Sequence, residues 1–376
     1  MKRLLFLFSF TFLPAFVACS WKTTTYPLHL FPLIDESFVG DANQIKGVIA
    51  ALREQYAGPV VEHGTLADLP TLSRAVIIAG SARMQELAAL PLTPGIYRVL
   101  CMHQAPANLV DLGGKLDLLA LPTHATTSEI TAWADEHGTR LVQTVGVAHN
   151  TSVSTVEQAY QDHRAALPLP PPYLAVMLGG DAPDTNNVMR YYTEHEAQAL
   201  AKAATTLARG QKANLVVLNG PRTGKHDPKT GMVRAQAHRD GAVDPATAAF
   251  IHAAAQEGFT AGSNLLLLDF QFGKPSLFNA VLGALRATQG KIIINGDSIS
   301  MISECTTVLN PDQVILASNA AMSEIHHAYL KQEHACGRAS LLSDTGGLIL
   351  PDSTATPPPP AAQAIAHTLL NQLNKK

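Results

Sequence analysis

Residues 292–306 read IIINGDSISMISECT and contain the structural unit from which the rest of the fold can be inferred. An apolar run ends at Asn295 and Gly296. Asp297 and Ser298 follow, and both residue types are favoured at the N-cap of a helix. The stretch is therefore predicted to form a buried strand, a tight turn and a helix.

The same unit recurs along the chain. Apolar runs of about four to seven residues alternate with helical segments, which is typical of a parallel sheet covered on both faces. Strands are predicted at 28–34, 59–62, 75–79, 97–102, 116–121, 139–145, 174–178, 214–218, 264–269, 291–294 and 313–316. Helices are predicted at 43–56, 80–90, 193–209, 244–256, 276–287, 300–308 and 361–373.

A proline-rich break divides this alternation. Residues 167–172 read LPLPPP, which fits neither a helix interior nor a central strand. We take it as the linker between an amino-terminal domain at 25–166 and a carboxy-terminal domain at 173–350, followed by a helix at 361–374. The predicted fold class is α/β, with two Rossmann-like doubly wound domains and a deep cleft between them.

Composition excludes several classes of protein. The 376 residues are 47% hydrophobic and 15% charged, so the chain can bury a large core and is not mainly disordered. Its 27 basic residues are scattered, which argues against nucleic acid as a partner. Cys19, Cys101, Cys305 and Cys336 are too far apart for a disulfide framework or a zinc knuckle. No HExxH motif occurs, and no metal or cofactor is expected.

The first twenty residues differ from the rest. Residues 4–18 are almost wholly apolar after Lys2 and Arg3, yet are too short for a span of about 20 residues. FVAC at 16–19 resembles a lipoprotein cleavage box, which makes Cys19 a candidate anchor. We expect a signal-like or anchoring segment at 1–20, giving export or membrane association. An uncleaved anchor on the cytoplasmic face, or a start site placed too far upstream, remains open.

Ligands of doubly wound folds bind beyond the carboxyl ends of the strands. In 292–306, Gly296 would let a ligand approach the backbone, next to Asp297. The helix-start amides and the hydroxyls of Ser298 and Ser300 would then hold a phosphate. Glu304 would accept the hydroxyls of a ribose. The alternative is an ordinary capped helix with Glu304 in solvent.

Three other loops carry weaker signals. They are VMLGGDAP at 176–183, with Gly179, Gly180 and Asp181; LNGPRTGK at 218–225, with Arg222 and Thr223; and VGDANQ at 39–44, with Gly40, Asn43 and Gln44. The glycine pair would admit an anion or a sugar, and the arginine would bind a phosphate in bidentate fashion. The third loop would meet a sugar. The alternatives are a tight turn, a solvated basic loop and a helix cap.

His103 and His149 follow predicted strands of the first domain and are candidates for a general base. A partly buried structural role is the alternative for each. His326, His327, His334 and Cys336 match no zinc template, so surface and core positions are expected for them. The absence of GxSxG argues against an α/β-hydrolase.

Taken together, VGDANQ, LGGDAP, LNGPRTG and NGDSISMISEC resemble the mitochondrial fission (elongated mitochondria) family over about residues 28–320. That family is similar to glycosyltransferases of the GT-B fold, such as the peptidoglycan GlcNAc transferase. The resemblance implies two Rossmann-like domains in the GT-B arrangement. It also implies a nucleotide-sugar donor bound mainly by the second domain, with no obligatory metal.

Carried over to this sequence, the resemblance makes Ser298 and Ser300 phosphate ligands and Glu304 the ribose ligand. Gly179 and Gly180 would border the donor, and Arg222 would contact its phosphates. The chain departs from the family where TTVLNPDQ at 306–313 replaces a Gly-Lys-Pro step, and also in its LGGDAP loop and its amino-terminal extension.

The expected function is transfer of a sugar from a nucleoside diphosphate to an unknown acceptor, with cleft closure by a hinge at 168–172. A non-catalytic binding or scaffold protein of the same family is the alternative. A nucleotide-sugar epimerase ranks third, because it would need paired carboxylates in the cleft.

Overall fold

The computed structural model describes residues 26–106, 108–184, 188–234, 243–352 and 354–374. The predicted signal-like segment at 1–20, with its candidate anchor Cys19, lies outside these residues. Within the described part of the chain, no helix combines the length and the apolar character needed to cross a bilayer.

The first lobe is built on a parallel sheet whose described strands run in the order β2-β1-β3-β4-β5-β6. Its strands are β1 (Leu28–Leu33), β2 (Val60–Glu62), β3 (Ala75–Ala79), β4 (Ile96–Cys101), β5 (Leu118–Pro122) and β6 (Arg140–Thr144). Its helices are α1 (Val39–Gln55), α2 (Met84–Ala89) and α3 (Ser128–Glu136), and α4 (Val153–His163) follows them.

The second lobe repeats this plan with described strands in the order β11-β10-β7-β12-β13-β14-β15, parallel except for the last pair. The strands are β7 (Tyr173–Met177), the short pair β8 (Ala182–Pro183) and β9 (Met189–Arg190), β10 (Asn214–Leu218), β11 (Leu265–Leu268), β12 (Lys291–Asn295), β13 (Val314–Ala317), β14 (Ser340–Leu342) and β15 (Leu348–Ile349). The helices are α5 (Glu194–Gln211), α6 (Pro245–Gln256), α7 (Phe278–Thr288), α8 (Ile299–Val308), α9 (Glu324–Ala335) and α10 (Ala361–Leu373).

Continuous apolar strands explain why both sheets are covered on two faces. Every residue of β3, β4, β5, β7 and β13 is buried. Side chains of alternating residues enter opposite core clusters, as Val76 and Ile77 do. The predicted α/β class with two Rossmann-like domains is therefore confirmed.

The strand order reverses once in each sheet. The reversal lies between β1 and β3 in the first lobe and between β7 and β12 in the second. Adjacent loops diverge to opposite faces at such a point, which leaves a crevice at the carboxyl edge where ligands of doubly wound sheets bind. A ligand-binding site is therefore expected at one of these two reversal points.

The predicted linker belongs to the second lobe. Leu167 and Leu169 lie in its core cluster, and the Asn214 amide donates to the Pro170 carbonyl at 2.6 Å. Helix α4, which precedes the linker, packs along α7. The chain therefore passes between the lobes at 145–152, which differs from the expected hinge at 168–172.

The terminal helix α10 returns to the first lobe. It packs on α1, and its apolar face joins the core cluster that contains β1 and β3 residues. The two Rossmann-like lobes are therefore connected by this returning helix as well as by the segment at 145–152.

Helix α1 begins earlier than the sequence predicted. Its first residue is Val39, so Gly40 is helical and residues 39–42 do not form a loop after the first strand. Helices α3, α4 and α9 and strands β14 and β15 were absent from the predicted alternation.

A substitution at Gly283 on α7 tests how closely α4 packs against α7. A Cβ atom at this position would lie 2.1 Å from the Val156 carbonyl oxygen. We expect Gly283→Ala to lower the free energy of unfolding by about 1–3 kcal/mol in urea titrations, because two packed helices must separate. The control is Gly210→Ala on α5, where a Cβ would meet nothing within 4 Å. Equal stability of the two variants would contradict this packing.

Candidate functional site

The reversal point of the second sheet joins the loops that follow β7 and β12. The Gly180 amide donates to Asp297 Oδ2 at 3.0 Å, and the Asn295 side-chain amide donates to the Met177 carbonyl at 2.9 Å. Both loops are therefore fixed to each other at the carboxyl edge of the sheet.

Arg222, which follows β10, completes this junction. Its Nη1 donates to the Asp181 carbonyl and its Nη2 to the Asp297 carbonyl, each at 3.2 Å. Nη2 also lies 3.4 Å from Asp297 Oδ2, and the side chains of Arg222 and Asp297 are 41% and 4% exposed. These contacts fix one side of the guanidinium, and the other side faces solvent.

Asp297 is a buried carboxylate. Burial raises its pKa, while the Arg222 charge and a hydrogen bond from the Asn319 amide at 2.9 Å oppose that rise. A buried carboxylate that lost these donors would cost several kcal/mol. Asp297 therefore orients the loops and Arg222, and its own oxygens are engaged with the protein.

The start of α8 leaves backbone donors free for a ligand. Ser298 is the N-cap residue, and its side chain makes no capping hydrogen bond. The amides of the first helical turn have no carbonyl partner within a helix, and they carry a partial positive charge. Ser300 is exposed and Ser298 is half-buried, so this turn is open to solvent.

The glycines of the site serve internal packing. A Cβ on Gly296 would lie 2.7 Å from atoms of Met322 and Leu330. A Cβ on Gly179 would meet the Tyr192 ring at 2.6 Å, and one on Gly180 would meet Arg222 Cβ at 2.7 Å. The sequence analysis assigned these close approaches to a ligand, and the structure assigns them to the protein's own side chains.

Asp181 and Thr223 are likewise internal. Asp181 Oδ1 accepts the Tyr192 amide at 3.0 Å, and Oδ2 accepts the His226 amide at 2.8 Å and its ring Nδ1 at 2.9 Å. Thr223 Oγ1 accepts the Gly220 amide at 3.0 Å, which closes the turn that presents Arg222. Direct contact of Asp181 or Thr223 with a ligand, as the sequence predicted, conflicts with these bonds and with their burial.

Glu304 lies at the crossing between the lobes. Its Oε2 accepts the Thr151 hydroxyl at 2.9 Å, and burial raises its pKa. The carboxylate sits beside the chain segment at 145–152 and is already hydrogen-bonded there. This position differs from the predicted role of Glu304 as a ribose ligand.

His149 is also hydrogen-bonded at the crossing between the lobes. Its Nε2 lies 3.1 Å from the Ser303 carbonyl and 3.0 Å from Thr307 Oγ1, while Nδ1 accepts the Thr151 amide at 3.2 Å. Burial lowers its pKa to about 4. Because both nitrogens are occupied, the ring joins the lobes and does not act as the predicted base.

Ser303 is the centre of this crossing. Its Oγ accepts the Val147 amide at 3.1 Å and lies 2.8 Å from the Tyr329 hydroxyl. Arg338 donates to the Val145 carbonyl at 3.3 Å and pairs with buried Glu333 at 3.1 Å. The crossing segment is thus fixed by polar side chains of the second lobe.

Histidines from both lobes approach each other near the start of α9. The His124 ring lies 4.9 Å from the Tyr329 ring, and it interacts electrostatically with His326 and with exposed His103. Burial is the main cause that lowers the pKa of His124 and of His326 to about 4, and the Arg222 charge contributes to the shift of His326. Of these rings only His103 was predicted as a site residue.

At the reversal point of the first sheet, hydrogen bonds join the start of α1 to the loop after β3. Asp41 Oδ2 accepts the Ser81 hydroxyl at 2.6 Å and the Ala82 amide at 2.8 Å. Gly40 is exposed, Asn43 half-buried and Gln44 buried, and no hydrogen bond among the described residues links them to the second lobe. The structure does not bring this predicted sugar contact together with Arg222.

A crevice of about 500 Å³ lies beside the junction, between α5 and the ends of β13 and β14. Asn295 and Asn319 line it on the side of the junction. The other polar side chains of its lining, here called the polar rim, are Glu196, Lys202, Ser318, Ser343, Asp344 and Thr345. No motif predicted this crevice, because its lining residues are spread from Tyr192 to Gly346. In the described residues, no group of three or more His, Cys, Asp or Glu could hold a metal ion.

No family model matches the chain, and no curated protein matches it. Among solved structures, the chain is similar to E. coli ADP-heptose LPS heptosyltransferase II, with 9% identity and a TM-score of 0.33 over 93% of this chain and 99% of that one. It is also similar to the alpha subunit of acetyl-CoA synthase/carbon monoxide dehydrogenase, with 10% identity and a TM-score of 0.21 over 93% and 56%. The resemblance to the mitochondrial fission family stays a prediction.

The burial of His149 makes stability depend on pH. Its folded pKa of about 4 lies below the unfolded value of about 6.5, so unfolding takes up a proton between these values. This contribution is complete above pH 6.5 and is lost by about 1.4 kcal/mol per pH unit as the pH falls toward 4. In urea titrations at several pH values, His149→Asn should reduce the slope of the unfolding free energy against pH between 4 and 6.5 by the contribution of about one proton.

The control for this measurement is His367→Asn on α10, an exposed histidine far from the crossing between the lobes. It should keep the wild-type slope. A His149→Asn profile parallel to that of the wild type would refute the assignment.

Proposed function

We propose that the chain is a GT-B glycosyltransferase-like protein that binds a nucleoside diphosphate sugar between its lobes and transfers the sugar to an acceptor hydroxyl. The observation that carries this proposal is the convergence of Arg222 and the first turn of α8 at the reversal point of the second sheet. Both present donors to solvent at one place.

A diphosphate is the ligand that these donors suit best. Guanidinium groups bind phosphate oxygens through paired, charge-assisted hydrogen bonds, and free helix-start amides add to the same field. Asp297 holds Arg222 in position before the ligand arrives, so little side-chain entropy is lost on binding. The exposed hydroxyl of Ser300 adds a neutral donor.

The crevice beside the junction suits the nucleoside. Its volume of about 500 Å³ falls within the usual range for small-molecule sites. In this proposal, side chains of the polar rim, including Ser318 and Ser343, take the ribose role that the sequence analysis gave to Glu304. The diphosphate would lie next to Arg222, which shares the Asp297 carboxylate with the lining residue Asn319.

During transfer, negative charge grows on the departing diphosphate. Donors already fixed at that position stabilise this charge without reorganising, which lowers the barrier to breaking the sugar–oxygen bond. Arg222 and the α8 amides supply this stabilisation in the proposed reaction.

A binding protein without turnover is the second candidate. It is favoured by one observation, namely that His149 is committed to the crossing between the lobes. The two candidates differ in whether bound donor is consumed.

Membrane association or export through residues 4–18 is proposed separately. Mass spectrometry of the purified native protein should find an amino terminus at Cys19 carrying a lipid. An intact Met1 terminus would exclude cleavage at this box.

Nucleotide binding tests the site directly. Arg222→Ala should raise the Kd for UDP or ADP at least about tenfold in calorimetric titrations, since charge-assisted bonds of about 1.5–3 kcal/mol are lost. Arg209→Ala on α5, whose side chain is 57% exposed, is the matched control.

A second variant avoids the unpaired Asp297 that Arg222→Ala leaves behind. Ser300→Asp places a negative charge in the first turn of α8, which favours the helix but repels a phosphate. It should keep the wild-type melting temperature and lose nucleotide affinity. A wild-type protein that binds no nucleoside diphosphate would overturn the proposed function.

A further inference from the structure

Next to Arg222, a buried carboxylate holds a histidine ring in a fixed orientation. Asp181 and His226 follow the neighbouring strands β7 and β10, and Asp181 Oδ2 lies 2.9 Å from His226 Nδ1. The side chains are 1% and 12% exposed, so the carboxylate is buried and the ring reaches the surface.

The hydrogen bonds of Asp181 fix which ring nitrogen carries the proton. An ionised carboxylate accepts hydrogen bonds only, so Nδ1 of His226 is the donor. The neutral ring then carries its lone pair on Nε2. Among the described residues no hydrogen bond to Nε2 is found, and the His226 side chain is 12% exposed.

The pair is rigid because its parts are held from several sides. Asp181 Oδ1 accepts the Tyr192 amide, and Oδ2 also accepts the His226 backbone amide at 2.8 Å. The Tyr191 ring lies 6.1 Å from the His226 ring. A histidine oriented in this way by a buried carboxylate is the arrangement found in general-base catalysis.

The pair is also tied to the proposed phosphate site. Arg222 Nη1 donates to the main-chain carbonyl of Asp181, the residue whose side chain holds His226. One residue therefore links the guanidinium to the imidazole, and the histidine stands at the same carboxyl edge as α8.

We propose that His226 is the general base of the sugar transfer and that Asp181 is its positioning residue. This inference rests on the proposed function. The acceptor hydroxyl gives its proton to Nε2 of His226 while its oxygen bonds to the anomeric carbon of the sugar. The bond from that carbon to the diphosphate breaks with both electrons leaving on the phosphate oxygen, and the imidazolium then releases its proton to water.

The other histidines fit this role less well. Both nitrogens of His149 are engaged at the crossing between the lobes. Exposed His103 has no ion pair with a carboxylate among those found in the described residues.

The test separates binding from turnover. UDP and ADP affinity is measured first, and then release of UDP or ADP from UDP-glucose and ADP-glucose with water as the acceptor. His226→Asn keeps a side-chain N–H for Asp181 but lacks Nε2. Its release rate should fall about 100-fold or more, with a Kd for the nucleotide within twofold of wild type. Exposed His252→Asn on α6 is the control and should match the wild type.

Two further measurements exclude a merely structural role. Added imidazole should restore part of the rate of His226→Ala, because it supplies a base in the space of the missing ring. Asp181→Asn should shift the proton of His226 away from Nδ1, as seen in the ¹⁵N NMR spectrum of the side chain, and slow release about tenfold or more.

The outcomes are distinct. An unchanged release rate in His226→Asn, or a folded His226→Ala that imidazole does not restore, overturns the base while the proposed function stands. Wild-type protein that binds nucleotide but releases none supports the binding protein and overturns the base. Absence of nucleotide binding by the wild type overturns the proposed function, and the base with it.

Discussion

The candidate site depends on one buried carboxylate. Asp297 lies at the point where the loops after β7, β10, β12 and β13 meet, and it receives hydrogen bonds from Gly180, Arg222 and Asn319. A buried charge is tolerated only when such donors surround it. The need to satisfy Asp297 therefore brings four separate loops together and presents the outer side of Arg222 to solvent.

A second group of polar side chains fixes the connection between the lobes. Ser303, Tyr329, Glu333 and Arg338 hold the segment at 145–152, where the chain leaves the first lobe. Gly146 has a φ of +74° there, and a Cβ on it would lie 2.4 Å from Ser303 Oγ. Only glycine fits this conformation and this contact at low cost. The relative position of the lobes consequently depends on side chains of α8, of α9 and of Arg338, which follows α9.

The sequence was most informative where apolar periodicity was strong. The buried runs at 75–79 and 214–218 were predicted with their observed bounds, because such strands need no tertiary information. Helix α4 was missed, since its single fully buried residue leaves almost no apolar stripe. The predicted linker at 167–172 is a break in local structure, but proline content does not reveal which lobe it packs against.

For the candidate site, the sequence predicted that the loops after β7, β10 and β12 lie at one edge of a sheet, and the structure shows them there with several of their side chains bonded within the protein. Arg222, Ser298 and Ser300 lie together at the reversal point, because the carboxyl ends of parallel strands share one edge. Spacing along a helix placed Glu304 correctly on α8, but it could not reveal that Thr151 from the other lobe reaches it. Asp181 and His226 are 45 residues apart in the chain, so their pairing appears only once β7 and β10 are known to be neighbours.

The return of α10 has a consequence for the order of assembly during synthesis. Ile365, Ala366 and Leu369 fill the same core cluster as Leu30 and Val76. The first lobe emerges from the ribosome before these partners exist, and the part of its sheet that α1 does not cover stays exposed until α10 has been translated. The second lobe can close its own core sooner, so the later half of the gene product is expected to reach its native packing before the earlier half does.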